Sequence, residues 1–189
     1  MEKMNIMVVG VGGQGTLLTS RIIGKTALEA GYDVKLSEVH GMAQRGGSVV
    51  TFVRYGKSVS EPVVEEGDAD ILIAFERLEA LRYAHYLKKD GVIVVNDCRI
   101  DPMTVVIGAS EYPENILENL EKTHTIHTID GGKIALELGN SKVLNSVVLG
   151  LAAKHIGFSK DEWLNVIKKT VPQKTIEINE KAFLAGYEK

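Results

Sequence analysis

The chain predicts an α/β fold: a three-layer α/β/α sandwich on a mostly parallel, Rossmann-like sheet, with a helical carboxyl-terminal region. Three observations predict it. Short apolar runs alternate with helical patterns from residue 5 to residue 138, the arrangement that implies strands joined by crossover helices. The first run, "NIMVV", leads through "GVGGQG" (10–15) into "TLLTSRIIGKTALEAG", which is the strand, glycine loop and helix of a dinucleotide-type unit. After residue 142 helical patterns follow one another without strands. At 189 residues the chain suits a single domain, 1–189, with no internal repeat, low-complexity tract or linker.

Residues 5–10 show no polar alternation and read as a buried strand. A helix follows over 16–30, and Gly31 ends it as a C-cap does. "YDVKLSEV" (32–39) alternates and reads as a second strand, and "GGSVVTFVRYG" (46–56) holds a third, rich in Val, Thr, Phe and Tyr. "VSEPVV" returns as an antiparallel or irregular segment, because Pro62 removes a ladder donor. "ADILIAF" (69–75) is another buried strand. Leu78, Leu81, Ala84 and Leu87 then line one helical face.

Strands are expected at 91–97, at 103–109 ("MTVVIGA") and at 124–130, with a helix over 112–123 that holds Pro113 in its first turn. A short helix is expected from Lys133 to Leu138. "KVLNSVVLGLAAKHIG" (142–157) is apolar nearly all round, so it is a helix buried in the domain or against a partner. Ser159 and Glu162 form a capping-box pattern at the start of 159–170, where Trp163, Val166 and Ile167 form an ordinary core stripe. A final amphipathic segment covers 175–188. In open sheets of this kind ligands sit beyond the carboxyl ends of the strands, so the loops at 10–15, 40–47, 75–77 and 97–102 are expected to share one edge.

Composition excludes several classes. The net charge of −3 argues against a nucleic-acid partner, which requires a basic face. No apolar run is long enough to span a membrane, and "MEKMN" lacks the apolar core of a signal peptide. Cys98 is the only cysteine, so no internal disulfide forms and a cytoplasmic location is expected. One thiolate cannot hold an iron–sulfur cluster, and the scattered histidines do not make a metal site; the nearest pair, His124 and His127, point to opposite faces of an extended segment.

The glycine loop satisfies G-x-G-x-x-G through Gly10, Gly12 and Gly15, with Gly13 added. Glycines let the backbone approach a phosphate closely, and a helix start offers free N–H groups and partial positive charge. Glu38 ends the second strand, where a ribose-binding carboxylate would lie. The alternative is a strand-to-helix turn that uses glycine for packing alone. "GKT" (24–26) and "GKS" (56–58) are not P-loops, because Thr19 and Thr51 stand where the first glycine is required, and no nucleophile elbow exists.

"HGMAQRGG" (40–47), which follows Glu38, is foreign to an ordinary dinucleotide domain. Together with "GVGGQG", the "SVVTFVR" behind it, "NSVVLG" (145–150) and "IEINEKAFLAGYE" (176–188), it resembles the small (beta) subunit of indolepyruvate:ferredoxin oxidoreductase. That subunit is related to the gamma subunit or domain of pyruvate and other 2-oxoacid:ferredoxin oxidoreductases. The resemblance spans nearly the whole chain, and "HGMAQRGG" is its most specific part. It implies a heteromeric enzyme that decarboxylates an aryl 2-oxo acid on thiamine diphosphate, passes two electrons through iron–sulfur clusters to ferredoxin, and releases an acyl-coenzyme A. Thiamine diphosphate, magnesium and the clusters are expected on a large (alpha) partner subunit. No thiamine motif and no cysteine cluster occur here, so this chain is expected to be the non-redox subunit, inactive alone and without a confident catalytic residue of its own.

Within the motif, Arg45 between glycines suits a carboxylate or phosphate clamp, with a surface or interface ion pair as the alternative. His40 reads as a loop histidine with a structural hydrogen bond, or as a proton donor or acceptor. Gln14 faces the glycine-loop edge or caps the helix, and Glu38 binds a ribose or pairs with Arg45. Asn145 reads as a fixed core or subunit contact. The expected ligand edge is therefore Gly10, Gly12, Gly13, Gln14, Gly15, Glu38, His40, Arg45, Gly46 and Gly47, with coenzyme A or another anion as its ligand. The first two strands are expected side by side. The helix around 143–156, with the carboxyl-terminal segments, is expected to leave an apolar surface for the large subunit or for a homodimer. The rival reading is a stand-alone NAD(P)- or nucleotide-binding Rossmann-like protein.

Overall fold

The computed structural model describes residues 3–40 and 46–189. Among them a sheet of six strands forms: β1 (Lys3–Val11), β2 (Asp33–His40), β3 (Ser48–Gly56), β4 (Ala69–Ala74), β5 (Leu87–Asn96) and β6 (Thr125–Ile129). Their order across the sheet is β2-β3-β1-β4-β5-β6. β1, β4, β5 and β6 run parallel to one another, while β3 is antiparallel to both β1 and β2.

The helices are α1 (Thr16–Glu29), α2 (Arg77–Tyr83), α3 (Met103–Val106), α4 (Ile116–Glu121), α5 (Gly131–Glu137), α6 (Leu144–Ala153), α7 (Lys160–Thr170) and α8 (Ile176–Tyr187). One face of the sheet packs Ile6, Val8, Val53, Ile73 and Val94 against α1 and α5 to α8. The other face packs Met7, Val9, Phe52, Leu72 and Val95 against α2 and α4. Alternation along each strand sends successive side chains to opposite faces, which is why β1 and β4 read as continuous apolar runs. Three layers result, and the carboxyl ends of β1, β2, β4 and β5 share one edge.

The early elements fall where the sequence places them, and so do the last two helices. α7 opens with the capping box: Ser159 Oγ accepts from Glu162 N at 3.3 Å, and the Glu162 carboxylate accepts from Ser159 N at 2.7 Å. "VSEPVV" is irregular, although Val59 and Val64 are buried.

Leu87 does not continue the helical face of Leu78, Leu81 and Ala84 but opens β5; four further expectations need correction. Residues 103–109 are not a strand; they form the short helix α3 and its end, with Met103, Val106 and Ile107 exposed. The edge of β5 that such a strand needs is taken by β6, and Pro102 precedes a helical turn. Second, the helix expected over 112–123 starts only at Ile116, after Asn115, the one non-glycine residue with positive φ among the described residues. Third, β1 and β2 are not side by side, because β3 turns back between them. Fourth, α6 leaves no face for a partner. Nine of its ten residues are buried, and α8 covers it within the chain. The crossing is close enough that a Cβ added at Gly150 would lie 2.0 Å from Phe183 O, and one at Gly186 would lie 1.9 Å from Val147 O.

Candidate functional site

The edge is organised around the loop between β1 and α1. Gly10 cannot carry a side chain: a Cβ there would meet Phe75 Cβ and Thr16 Cγ2 at 2.9 Å. Gly15 caps α1 in the left-handed region (φ 86°), and a Cβ there would press on Asn145 at 3.1 Å. Asn145 is buried at the start of α6, a packing contact beneath the loop. Gly13 also has positive φ (106°), yet nothing stands within 4 Å of its missing Cβ. That space opens on solvent.

Because glycine supplies no capping side chain, α1 begins with neither a side-chain cap nor an acidic residue in its first turn. Its first-turn amides and the positive end of a 14-residue helix therefore stay available to an anion. Gly12, Gly13, Gly15, Thr16, Leu17, Glu38, His40 and Val49 surround a cavity of about 290 Å³ at this point. That is near the small end of ligand sites, roughly 300 Å³ and upward.

Glu38 and His40, two apart on β2, face the same side of the sheet as α1. The Glu38 carboxylate lies 3.6 Å from His40 Nδ1 and accepts from Thr51 Oγ1 at 3.4 Å. With β3 inserted, Glu38 stands one strand further from the loop than in a sheet with adjacent first strands, a displacement of about 4.8 Å. Gly46 and Gly47 come to the loop directly. Gly12 N donates to Gly47 O at 2.9 Å, and Gly46 N donates to Gly12 O at 3.5 Å. The antiparallel β1–β3 ladder, continued past its last paired residues, makes this contact. Arg45 lies outside the described residues.

Gln14 is placed inward. Its Oε1 accepts from Val11 N at 2.7 Å and its Nε2 donates to Phe75 O at 2.9 Å. Asn96 Nδ2 donates to the same Phe75 carbonyl at 3.1 Å, and Asn96 Oδ1 accepts from Gly131 N at 2.9 Å. A line of side-chain amides thus ties the ends of β1, β4 and β5 to the start of α5. It crosses the point where α1 departs to one face and α2 to the other, which is where doubly wound sheets receive nucleotides.

Sequence reasoning missed two buried carboxylates on the opposite face. Glu76, after β4, accepts from Glu79 N at 3.0 Å, Ile100 N at 3.2 Å and Tyr112 Oη at 2.5 Å. Glu79, 3% exposed, accepts from Ser48 Oγ at 2.5 Å and pairs with Arg82 at 3.2 Å. Burial pushes the Glu79 carboxyl above its usual range, against the Ser48 hydrogen bond and Arg82, while Glu76 adds to the rise. Their spacing in "FERLEALRY" reads as a solvated helix face. The available signal was position, since Glu76 lies two residues past a strand buried at every position but Asp70.

A second cavity of about 370 Å³ opens among Arg77, Asp97, Arg99, Tyr112 and the start of α4. Arg77 Nε donates to Asp97 Oδ1, and the Arg99 guanidinium lies 4.3 Å over the Tyr112 ring. Cys98 is half-buried beside them, and burial raises its thiol. Among the described residues no group of three metal-ligating side chains converges, and no helix is long and apolar enough to cross a membrane.

Comparison with known proteins agrees with this architecture. Residues 5–189 match the family model "Pyruvate ferredoxin/flavodoxin oxidoreductase". The "Indolepyruvate oxidoreductase subunit IorB" of Thermococcus kodakarensis is 41% identical, with 98% of this chain and 95% of that protein covered. The pyruvate oxidoreductase subunit PORC of Thermotoga maritima shares the fold at a TM-score of 0.76 and 24% identity, covering 100% of this chain and 97% of that one. The 2-oxoglutarate:ferredoxin oxidoreductase of Magnetococcus marinus, solved with 2-oxoglutarate, coenzyme A and succinyl-CoA, shares it at 0.74 and 20% identity; there this chain matches 31% of a longer one. The chain belongs to the pyruvate ferredoxin/flavodoxin oxidoreductase family, with the indolepyruvate oxidoreductase IorB subunits, and is related to the family's gamma subunits.

Proposed function

We propose that this chain is the non-redox small subunit of a heteromeric, cytoplasmic 2-oxoacid:ferredoxin oxidoreductase whose substrate is an aryl pyruvate of the indolepyruvate type. The observation that carries the reading is the match to indolepyruvate oxidoreductase subunits over nearly the full length of both chains. The chain's own chemistry is consistent with it. Its lone thiol, half-buried and raised, does not suit an iron–sulfur cluster. No step of electron transfer is assigned to this chain; thiamine diphosphate, magnesium and the clusters belong to a large partner subunit, through which ferredoxin is reduced.

The small subunit completes the site. The cavity at the start of α1 receives an anionic group, a coenzyme A phosphate or the 2-oxo acid carboxylate. The α1 amides supply hydrogen bonds and Arg45 supplies fixed charge. His40 Nδ1 stands 3.6 Å from the Glu38 carboxylate at the rim.

Co-expression with a large subunit tests the proposal. The complex should reduce ferredoxin with indolepyruvate and coenzyme A, and neither chain should do so alone. Tight binding of NAD by the isolated chain, with no affinity for a large subunit, would favour the nucleotide-binding alternative. The amide line through Gln14 and the displaced Glu38 argue against that alternative.

A further inference from the structure

We infer that Glu79 is a positioning residue, acting through Ser48 from the opposite face of the sheet to hold Gly46 and Gly47 against the glycine loop. This rests on the reading of that loop as part of the enzyme's site. Ser48 and Val49 are the first residues of β3, so their side chains leave on opposite faces. Val49 lines the α1 cavity, while Ser48 points down to α2. One residue before Ser48, Gly47 O receives the Gly12 amide, and Gly46 N reaches Gly12 O. A tether on Ser48 therefore fixes the two glycines that meet the loop.

The tether is built with unusual chemistry. A carboxylate 3% exposed is costly unless it is paired and hydrogen-bonded. Glu79 has both kinds of partner: Ser48 on one oxygen at 2.5 Å and Arg82 on the other at 3.2 Å, with Tyr83 Oη 3.4 Å from Ser48 Oγ. An alcohol donating to a carboxylate is a stronger bond than one between neutral groups. Serine places that donor with one short rotor, which suits a contact that must set backbone position. α2 itself is anchored by Glu76, whose carboxylate binds the Glu79 amide and Tyr112.

The test is amide hydrogen exchange in the full chain, for wild type, Ser48→Ala, Glu79→Gln and Ser48→Thr. The Gly12 amide, which donates to Gly47 O, is the reporter, and the Trp163 and Ile167 amides in α7 are the reference. Loss of a hydrogen bond to a charged group corresponds to roughly tenfold or more. Gly12 exchange should rise about tenfold in Ser48→Ala, which removes the donor, and by a smaller factor in Glu79→Gln, whose amide oxygen still accepts but without charge, with α7 unchanged and Ser48→Thr close to wild type. If Gly12 and α7 accelerate together, the pair supports only global stability and the inference fails. It also fails if Gly12 does not respond.

A second measurement uses the same variants in the complex with the large subunit. The Michaelis constant for one substrate should rise about tenfold with kcat near wild type, since a charge-assisted contact is being mispositioned. Wild-type kinetics despite a loosened Gly12 would remove the positioning role. An inactive wild-type complex would instead refute the functional reading, and the exchange result would still judge the tether.

Discussion

Glycine does opposite work in two regions of this molecule. At the α6–α8 crossing, Gly150 and Gly186 exist so that backbone can occupy their side-chain space, with partner carbonyl oxygens about 2 Å from where a Cβ would sit. At the loop between β1 and α1, Gly13 leaves an opening, with nothing within 4 Å. The first pair seals a core and the second residue exposes amides. A glycine in the sequence, alone or within "G-x-G-x-x-G", does not distinguish filled from open space; the neighbours do.

The largest expected effect breaks the filled region. Gly186→Ala forces a methyl into Val147 O, and neither backbone can yield without separating two helices. Overpacking of ordinary cores costs about 1–3 kcal/mol, and a clash with backbone should exceed that, to about 4 kcal/mol or failure to fold. Urea unfolding measures it, and a loss under about 1 kcal/mol would mean that the crossing is looser than described.

Gln14→Leu comes next, since it keeps bulk but strands the Val11 amide and removes one of two donors to Phe75 O. The expected loss is about 1–3 kcal/mol, read by the same titration. Gly13→Ala sharpens the comparison from the open side. Only backbone strain opposes it, so about 1–2 kcal/mol is expected, while phosphate or coenzyme A binding to the complex should fall further than stability does. Equal losses in Gly13→Ala and Gly186→Ala would erase the distinction.

The smallest expected effect concerns His155, just beyond α6. Its ring lies 4.4 Å from that of His127, and its Nε2 is buried without a hydrogen-bond partner. Burial lowers its pKa below 6.5, helped by His127 and Lys154. The unfolded chain then binds the proton more readily than the fold does, so stability falls as pH drops below about 6.5. Above that value both states are neutral and the contribution is flat. His155→Phe should flatten the decline between pH 7.5 and 5.5; an unchanged wild-type slope would place the pH dependence elsewhere.

How much was legible follows from the range of each interaction. β1, α1 and the Ser159–Glu162 cap are written in neighbouring residues, and the sequence displays them. The path of β3 is not, because "SVVTFVRYG" states that a strand forms but not its direction. That one reversal displaces Glu38 and brings Gly46 and Gly47 to Gly12. Glu76 and Glu79 were invisible for a related reason: their partners Tyr112, Ile100 and Ser48 come from distant segments. Arg54, buried in β3 with Asn5 and the Val63 carbonyl, is the same case.

The amide line through Gln14 gives the motif a different meaning. In a nucleotide-binding sheet the gap between diverging helices stays vacant until a guest arrives. Here the chain furnishes a resident guest, a carboxamide two methylenes long that greets the Val11 amide and the Phe75 carbonyl as a small ligand would. The usual berth is thereby filled from within, and the open cavity at this loop lies on its β3 side, against Val49.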